Sequence, residues 1–216
     1  MKKLIYKELK LVIAPFIYMF PALSAMLILP NYPYAVVMAY CIYGIFVTFN
    51  VAQVNKDSEF TANLPVPRRY IVYSRYITVI YLELLQVIIA IPFAILSSLV
   101  FHKDGNIVGM DANFAFFGLT FAIYGIFNAI FLPSYFKTGY KLFVPLIKSL
   151  SAYLVIATAG ELIIAFMPAL KECVDGLSHE KMPIRLAILV VGIVIYILAN
   201  VFSARKAVKN FEKVSI

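Results

Sequence analysis

The chain has 216 residues, of which 63% are hydrophobic and 14% are charged, and its formal net charge is +8. Soluble domains carry about 25% charged residues, and a fold of this size leaves much of its surface in contact with solvent. The composition therefore excludes a soluble domain and predicts an all-α integral membrane protein, with residues 1–216 as a single transmembrane domain. The positive charge then indicates cytoplasmic flanks of membrane spans rather than nucleic-acid binding.

The first ten residues, MKKLIYKELK, form an amphipathic pattern. Lys3, Lys7 and Lys10 share one helical face, whereas Ile5 and Leu9 share the other. This pattern predicts an N-terminal interface helix over residues 1–10, with its lysines toward anionic lipid headgroups. The alternative is that the segment only extends the first span into water.

Apolar runs long enough to cross a bilayer, which takes about 20 helical residues, occur six times in the chain. They predict six transmembrane helices at residues 11–29, 34–54, 76–101, 113–133, 142–167 and 185–203. Between the second and third spans, residues 55–75 form the longest cytoplasmic connection. Between the last two spans, residues 168–184 are expected to be extracellular.

The distribution of basic residues predicts the orientation of these spans. Four basic residues lie on the side opposite to the N-terminus: Lys103, Lys171, Lys181 and Arg185. The other 15 of the 19 lysines and arginines lie on the side of the N-terminus. Because basic residues accumulate on the inner side of membranes, both termini are expected to be cytoplasmic.

Two acidic residues, Glu83 and Glu161, lie within predicted spans. A charge at the bilayer centre costs about 3 kcal/mol, so both should face protein or a water-filled cavity. Glu83 is close enough to the inner interface to be expected to pair with a basic side chain; the alternative is that it belongs to a translocation path. Glu161 lies deeper and is the better candidate for a translocation path or an inter-helix lock. Asn50 and Asn128 are neutral candidates for the path, or alternatively inter-helical hydrogen-bonding groups.

Sequence signatures of catalysis and of nucleotide or metal binding are missing. The chain has no Walker motif, no G-x-S-x-G, no H-E-x-x-H and no C-x-x-C. Cys41 and Cys173 provide neither a disulfide framework nor metal-ligand spacing. We therefore expect no catalytic residue, no bound metal and no cofactor on this chain, which argues against the alternative of a membrane-embedded enzyme.

The stretch NLPVPRRYIVYSRYI, residues 63–77, is stiff and basic. Pro65 and Pro67 disfavour helix just before them, whereas Pro67 fits the first turn of a new helix that runs into the third span. A positive-inside flank would explain the arginines alone. It would not explain a Leu-Pro-x-Pro corner preceded by the acids Asp57 and Glu59. A rigid cytoplasmic corner suits a place where a partner protein pushes on the spans.

With Glu59 followed by LPVPRRYIVYSRYI at the entry to the third of six spans, the sequence resembles the permease subunits of bacterial type-2 ABC exporters. The resemblance extends over essentially the whole chain. It implies a multi-pass protein of the bacterial cell membrane that forms the translocation path and pairs with an identical or different second permease. It also implies short extracellular helices between the last two spans.

The resemblance further implies that a separate cytoplasmic ABC ATPase subunit, which carries ATP and Mg²⁺, docks on the loop after the second span. The residues expected to couple the two proteins are Glu59, Leu64, Pro65, Val66, Pro67, Arg68 and Arg69. The alternative within transport is a small-molecule-binding membrane subunit of an uptake system.

Overall fold

The computed structural model describes residues 1–29, 32–101, 106, 108–175 and 179–214. Within these ranges the secondary structure is entirely helical, which confirms the all-α prediction. The α-helices are α1 (Lys2–Lys7), α2 (Met19–Ala22), α3 (Tyr34–Val54), α4 (Asp57–Ala62), α5 (Arg68–Leu96), α6 (Phe114–Lys137), α7 (Phe143–Phe166), α8 (Pro168–Val174) and α9 (Met182–Glu212).

Five of these helices, α3, α5, α6, α7 and α9, are long and apolar enough to cross a membrane. A sixth crossing arises if the bent pair Lys2–Val12 and Pro15–Ile28, with an angle of 83° between its parts, is one span. The bend separates an N-terminal arm, Lys2–Val12, from the apolar segment Pro15–Ile28. This geometry agrees with an interface helix rather than a straight extension of the first span.

The first span differs from its predicted form, a helix over 11–29. Leu11 and Val12 belong to the arm, because Ala14 is extended (ψ 148°), as a residue before proline prefers. Most of Pro15–Ile28 is 3₁₀-helix, which rises about 2.0 Å per residue, so its 14 residues reach across roughly 26 Å. That length is close to the hydrocarbon thickness of about 30 Å. The segment packs mainly on α5 and α3.

Helices α3 and α7 lie within the predicted runs, whereas α5, α6 and α9 extend beyond theirs at the end of the bundle that carries the termini. Helix α5 begins at Arg68 directly after Pro67, as the proline pattern predicts. Helix α6 continues to Lys137 and α9 to Glu212, past the predicted ends of these spans. Hydropathy detects only the part of a helix that lies in lipid, whereas the backbone hydrogen bonds of the helix continue beyond the membrane.

Helices α6 and α9 form the most extensive helix pair, and glycines allow their backbones to touch. A Cβ atom on Gly118 would lie 2.6 Å from the carbonyl oxygen of Ile188, and one on Gly192 would overlap the carbonyl group of Gly118. Gly125 lies similarly close to the backbone of Tyr196. Small residues permit such close approach of membrane helices.

The two ends of the bundle are built from different segments. At one end, the arm, α4, the start of α5 and the end of α9 come together, so both terminal segments lie on the same side. At the other end, the helices α8 and His179–Lys181 form the short segments expected between the last two spans. Which end faces the cytoplasm remains a prediction from the basic residues.

Candidate functional site

A buried cluster of charges joins three elements at the end of the bundle that carries the termini. The guanidinium of Arg75, on α5, forms ion pairs of 2.8 Å with Glu8 of the arm and with Asp57 of α4. Lys7 pairs with Asp57 at 2.8 Å and with Glu8 at 3.3 Å. The side chains of Arg75 and Glu8 are 2% and 1% exposed. These ion pairs attach the short helix α4 to both the arm and a membrane-spanning helix.

The arm is amphipathic in a different way from the prediction. Leu4, Glu8 and Val12, which are four residues apart, form its buried face. Lys7 turns toward Asp57 and Thr61 of α4 instead of toward lipid headgroups. The expectation that Lys7 shares a headgroup-facing surface with Lys3 is therefore wrong, because buried carboxylates attract it more strongly than solvated headgroups do.

Arg68 holds the end of α9. Its guanidinium donates hydrogen bonds to the carbonyl oxygens of Phe211 (3.0 Å) and Val214 (2.7 Å) and lies over the ring of Phe211. Phe211 in turn packs on Tyr140, a buried residue with the left-handed φ of 69°, and burial raises the pKa of the Tyr140 hydroxyl. Arg68 therefore satisfies the last carbonyl groups of α9, a role that arginine commonly plays at helix ends.

The exposed surface beside this cluster consists of the corner after α4. Pro65, Pro67 and Arg69 are exposed, whereas Leu64 and Val66 are partly buried. Phe60 of α4 is 63% exposed, which sequence reasoning did not single out. For Glu59 the structure describes the backbone only, so its expected role in coupling lies outside the described side chains. The corner therefore offers apolar groups and the exposed Arg69, whose guanidinium lies over the ring of Tyr70, to a partner.

A second polar network lies within the membrane. Glu83 of α5 is fully buried, and its Oε2 accepts hydrogen bonds from Asn128 of α6 (2.9 Å) and from the hydroxyl of Tyr196 of α9 (2.6 Å). Asn128 also donates to Asn200 at 3.2 Å. The expected pairing of Glu83 with a basic side chain is wrong. Along α5, Arg75 lies about 12 Å away at 1.5 Å per residue, and it is occupied by Glu8 and Asp57.

Replacement of Glu83 by leucine is expected to lower the free energy of unfolding by about 1–3 kcal/mol, because buried donors of Asn128 and Tyr196 lose their acceptor. Glu83→Gln retains an acceptor oxygen and should cost less. Unfolding in mixed detergent micelles measures the stability of both variants. The control is Asn50→Leu, at an exposed position of α3. Equal stability of the Leu and Gln variants would contradict a role for these hydrogen bonds.

The residues predicted for a translocation path do not form one group. Glu83 and Asn128 are in direct contact, Asn50 is exposed on α3, and Glu161 lies near the C-terminal end of α7. Glu161 is half-buried and lines two adjoining cavities, of about 450 Å³ and about 150 Å³. The structure thus separates an inter-helix lock at Glu83 from an accessible carboxyl group at Glu161.

No group of three or more His, Cys, Asp or Glu residues with metal-binding geometry occurs among the residues that the structure describes. Sequence reasoning missed the roles of Glu8 and Arg75. The available signal was a glutamate within an otherwise basic arm. A carboxylate on an apolar surface requires a partner, and the sequence alone did not indicate which arginine would provide it.

Comparison with known proteins gives one match. The family model described as ABC-2 family transporter protein matches residues 3–212, nearly the whole chain. No curated protein and no solved structure matches the chain. The match agrees with the membrane-spanning helices of the structure. The chain belongs to the ABC-2 family of transporter proteins and is a multi-pass membrane permease subunit of an ABC transporter.

Proposed function

We propose that this permease works as an exporter in the bacterial cell membrane and is driven by a separate cytoplasmic ABC ATPase that docks on α4 and the following corner. The ATPase subunit binds ATP and Mg²⁺, and a second permease, identical or different, completes the translocation path. Export is the direction implied by the resemblance of the sequence to small type-2 permeases. The observation that carries the coupling proposal is the buried ion-pair cluster of Arg75, Glu8, Asp57 and Lys7.

The cluster supports coupling because it leaves α4 little freedom to move by itself. Asp57, the first residue of α4, is bonded to both Lys7 and Arg75, so a force on α4 is transmitted to the arm and to α5 together. Pro65 and Pro67 stiffen the remaining connection to α5. A displacement of the corner is therefore delivered to α5 as rigid-body motion, the kind of transition that transporters use.

The contact with the ATPase is proposed to involve the exposed side chains Phe60 and Arg69. An aromatic ring that enters an apolar pocket is typical of residues that dominate binding, and an arginine at its edge pairs with carboxylates. Arg68 is a less suitable probe, because its removal would also release the end of α9. The sharper variant is therefore Phe60→Ala combined with Arg69→Glu.

Phe60→Ala/Arg69→Glu is expected to weaken association with the ATPase by at least about tenfold, whereas the permease remains folded in the membrane. Co-purification with the partner ATPase, at several ATPase concentrations, measures the change. Phe143→Ala/Arg205→Glu is the matched control, since both residues are exposed and lie outside the corner. Equal ATPase binding by the test and control variants would reject docking at the corner.

The alternative, a binding subunit of an uptake system, makes a different prediction for the same experiment. Such a subunit has no need of the corner after α4 as the docking surface. Its association with the ATPase would be insensitive to Phe60→Ala/Arg69→Glu. The ion-pair cluster around Asp57 favours the exporter.

A further inference from the structure

Glu161 lies where a polar cavity and an apolar cavity meet. The outer cavity, about 450 Å³, has Asn106, Thr158 and Lys171 in its wall. The inner cavity, about 150 Å³, lies between α3, α6 and α7 and is lined mostly by apolar groups, including Ile126. Glu161 belongs to the walls of both. A molecule that reaches from one cavity into the other must pass its carboxyl group.

The carboxyl group of Glu161 has no hydrogen bond or ion pair with any residue that the structure describes. Its Oε1 faces the backbone at Gly109, where a Cβ atom would lie 3.3 Å away. The neighbouring acid Asp175 differs, because its Oδ1 accepts a hydrogen bond of 2.8 Å from the backbone of Asp111. Lys171 is exposed at the wall of the outer cavity and lies beyond ion-pair distance from Glu161. The carboxyl group is thus available to a ligand.

We infer that this site binds a cationic amphiphile, with the positive group beside Glu161 and the apolar part in the cavity between α3, α6 and α7. An acidic group in the membrane region is costly without a partner, and a bound cation removes that cost. The apolar walls favour a hydrophobic body, and they exclude a small hydrated cation as the main ligand. The statement that such molecules are the transported substrates rests on the proposed function.

The opposite charge is disfavoured at the same place. An anionic amphiphile would bring its charge against the carboxyl group of Glu161, and its apolar part would find the same walls. The single cation in the described wall, Lys171, lies in the outer cavity and is surrounded by water. Charge selectivity therefore resides in Glu161.

Decyltrimethylammonium and decyl sulfate, amphiphiles with the same alkyl chain and head groups of opposite charge, test this inference. Their binding to the purified permease in lipid nanodiscs, without the ATPase, is measured by equilibrium dialysis against empty nanodiscs. Saturable binding of the cation alone is expected. Glu161→Gln should weaken binding of the cation by about tenfold or more. The matched control is Glu172→Gln, which replaces an exposed acid on α8 and should leave cation binding unchanged.

A second variant tests the apolar part of the site. A Cβ atom on Gly160 meets no atom within 4 Å, so Gly160→Leu can fill the inner cavity without disturbing the fold and should also weaken cation binding. Unchanged binding in Glu161→Gln, or equal binding of decyl sulfate, would overturn the inference. Because the ATPase is absent, this result is independent of the docking experiment on the corner, and either proposal can fail alone.

Discussion

Arg75→Met is expected to lower the free energy of unfolding by about 3–5 kcal/mol, because it leaves the carboxylate of Glu8 buried with only Lys7 as a cation. Methionine keeps much of the apolar contact of the arginine stem but loses the guanidinium that lies over the ring of Phe49. The decrease in the free energy of unfolding therefore measures the effect of removing the positive charge. Unfolding in mixed detergent micelles measures it, with the exposed Arg205→Met as the control.

A double-mutant cycle identifies the pair responsible. Glu8→Gln removes the carboxylate that Arg75 neutralises, so Arg75→Met/Glu8→Gln should cost less than the sum of the two single changes. Additive costs would show that Arg75 and Glu8 do not depend on each other. A cost of Arg75→Met no larger than that of Arg205→Met would contradict the structural role of the cluster as a whole.

Gly192→Val is expected to prevent folding of the permease, the largest effect predicted for any single substitution here. The added Cβ atom would overlap the backbone carbonyl group of Gly118 on the neighbouring helix. Overpacking against side chains costs about 1–3 kcal/mol, but a backbone group has no alternative rotamer and the cost is higher. Helices α6 and α9 would have to separate, and this separation would break the hydrogen bond between Asn128 and Asn200.

Gly160 provides the matched control for this substitution. It also lies within a membrane helix, but a Cβ atom there meets no atom within 4 Å. Gly160→Ala should therefore be neutral or stabilise by about 0.4–1 kcal/mol, because alanine reduces the freedom of the unfolded chain. Size-exclusion chromatography of the solubilised proteins and their thermal unfolding compare the two. A monodisperse, fully stable Gly192→Val protein would refute the close contact of α6 with α9.

The sequence was sufficient to predict the class of fold and the helix that starts after Pro67, because apolar length and proline geometry are local properties. It was insufficient for the first span. Hydropathy does not distinguish α-helix from 3₁₀-helix, and the effect of Pro15 and Pro21 depends on the packing of Pro15–Ile28 against α3 and α5. The span was therefore predicted as one helix over 11–29, whereas the chain has a segment over Pro15–Ile28 that is mostly 3₁₀-helix.

The candidate site was predicted in part, for a similar reason. The corner around Pro65 was recognised from its prolines and charges, but the attachment of α4 requires Glu8 and Arg75, which are distant in sequence. From the sequence alone, several lysines and arginines were equally plausible ion-pair partners for each acidic residue. The choice among them depends on helix rotation: Arg75 points toward Glu8, whereas Glu83 points toward Asn128 and Tyr196.

The irregular first span has a consequence for biosynthesis. Pro15–Ile28 packs mainly on α5, which leaves the ribosome only after α3 and α4 have been made. Its two prolines lack amide hydrogens, so as an isolated segment it is a poor helix in the insertion machinery. The segment must therefore wait for a later part of the chain before it reaches its final structure. We therefore expect Pro15–Ile28 to reach its final structure only after α5, although it precedes α5 in the chain.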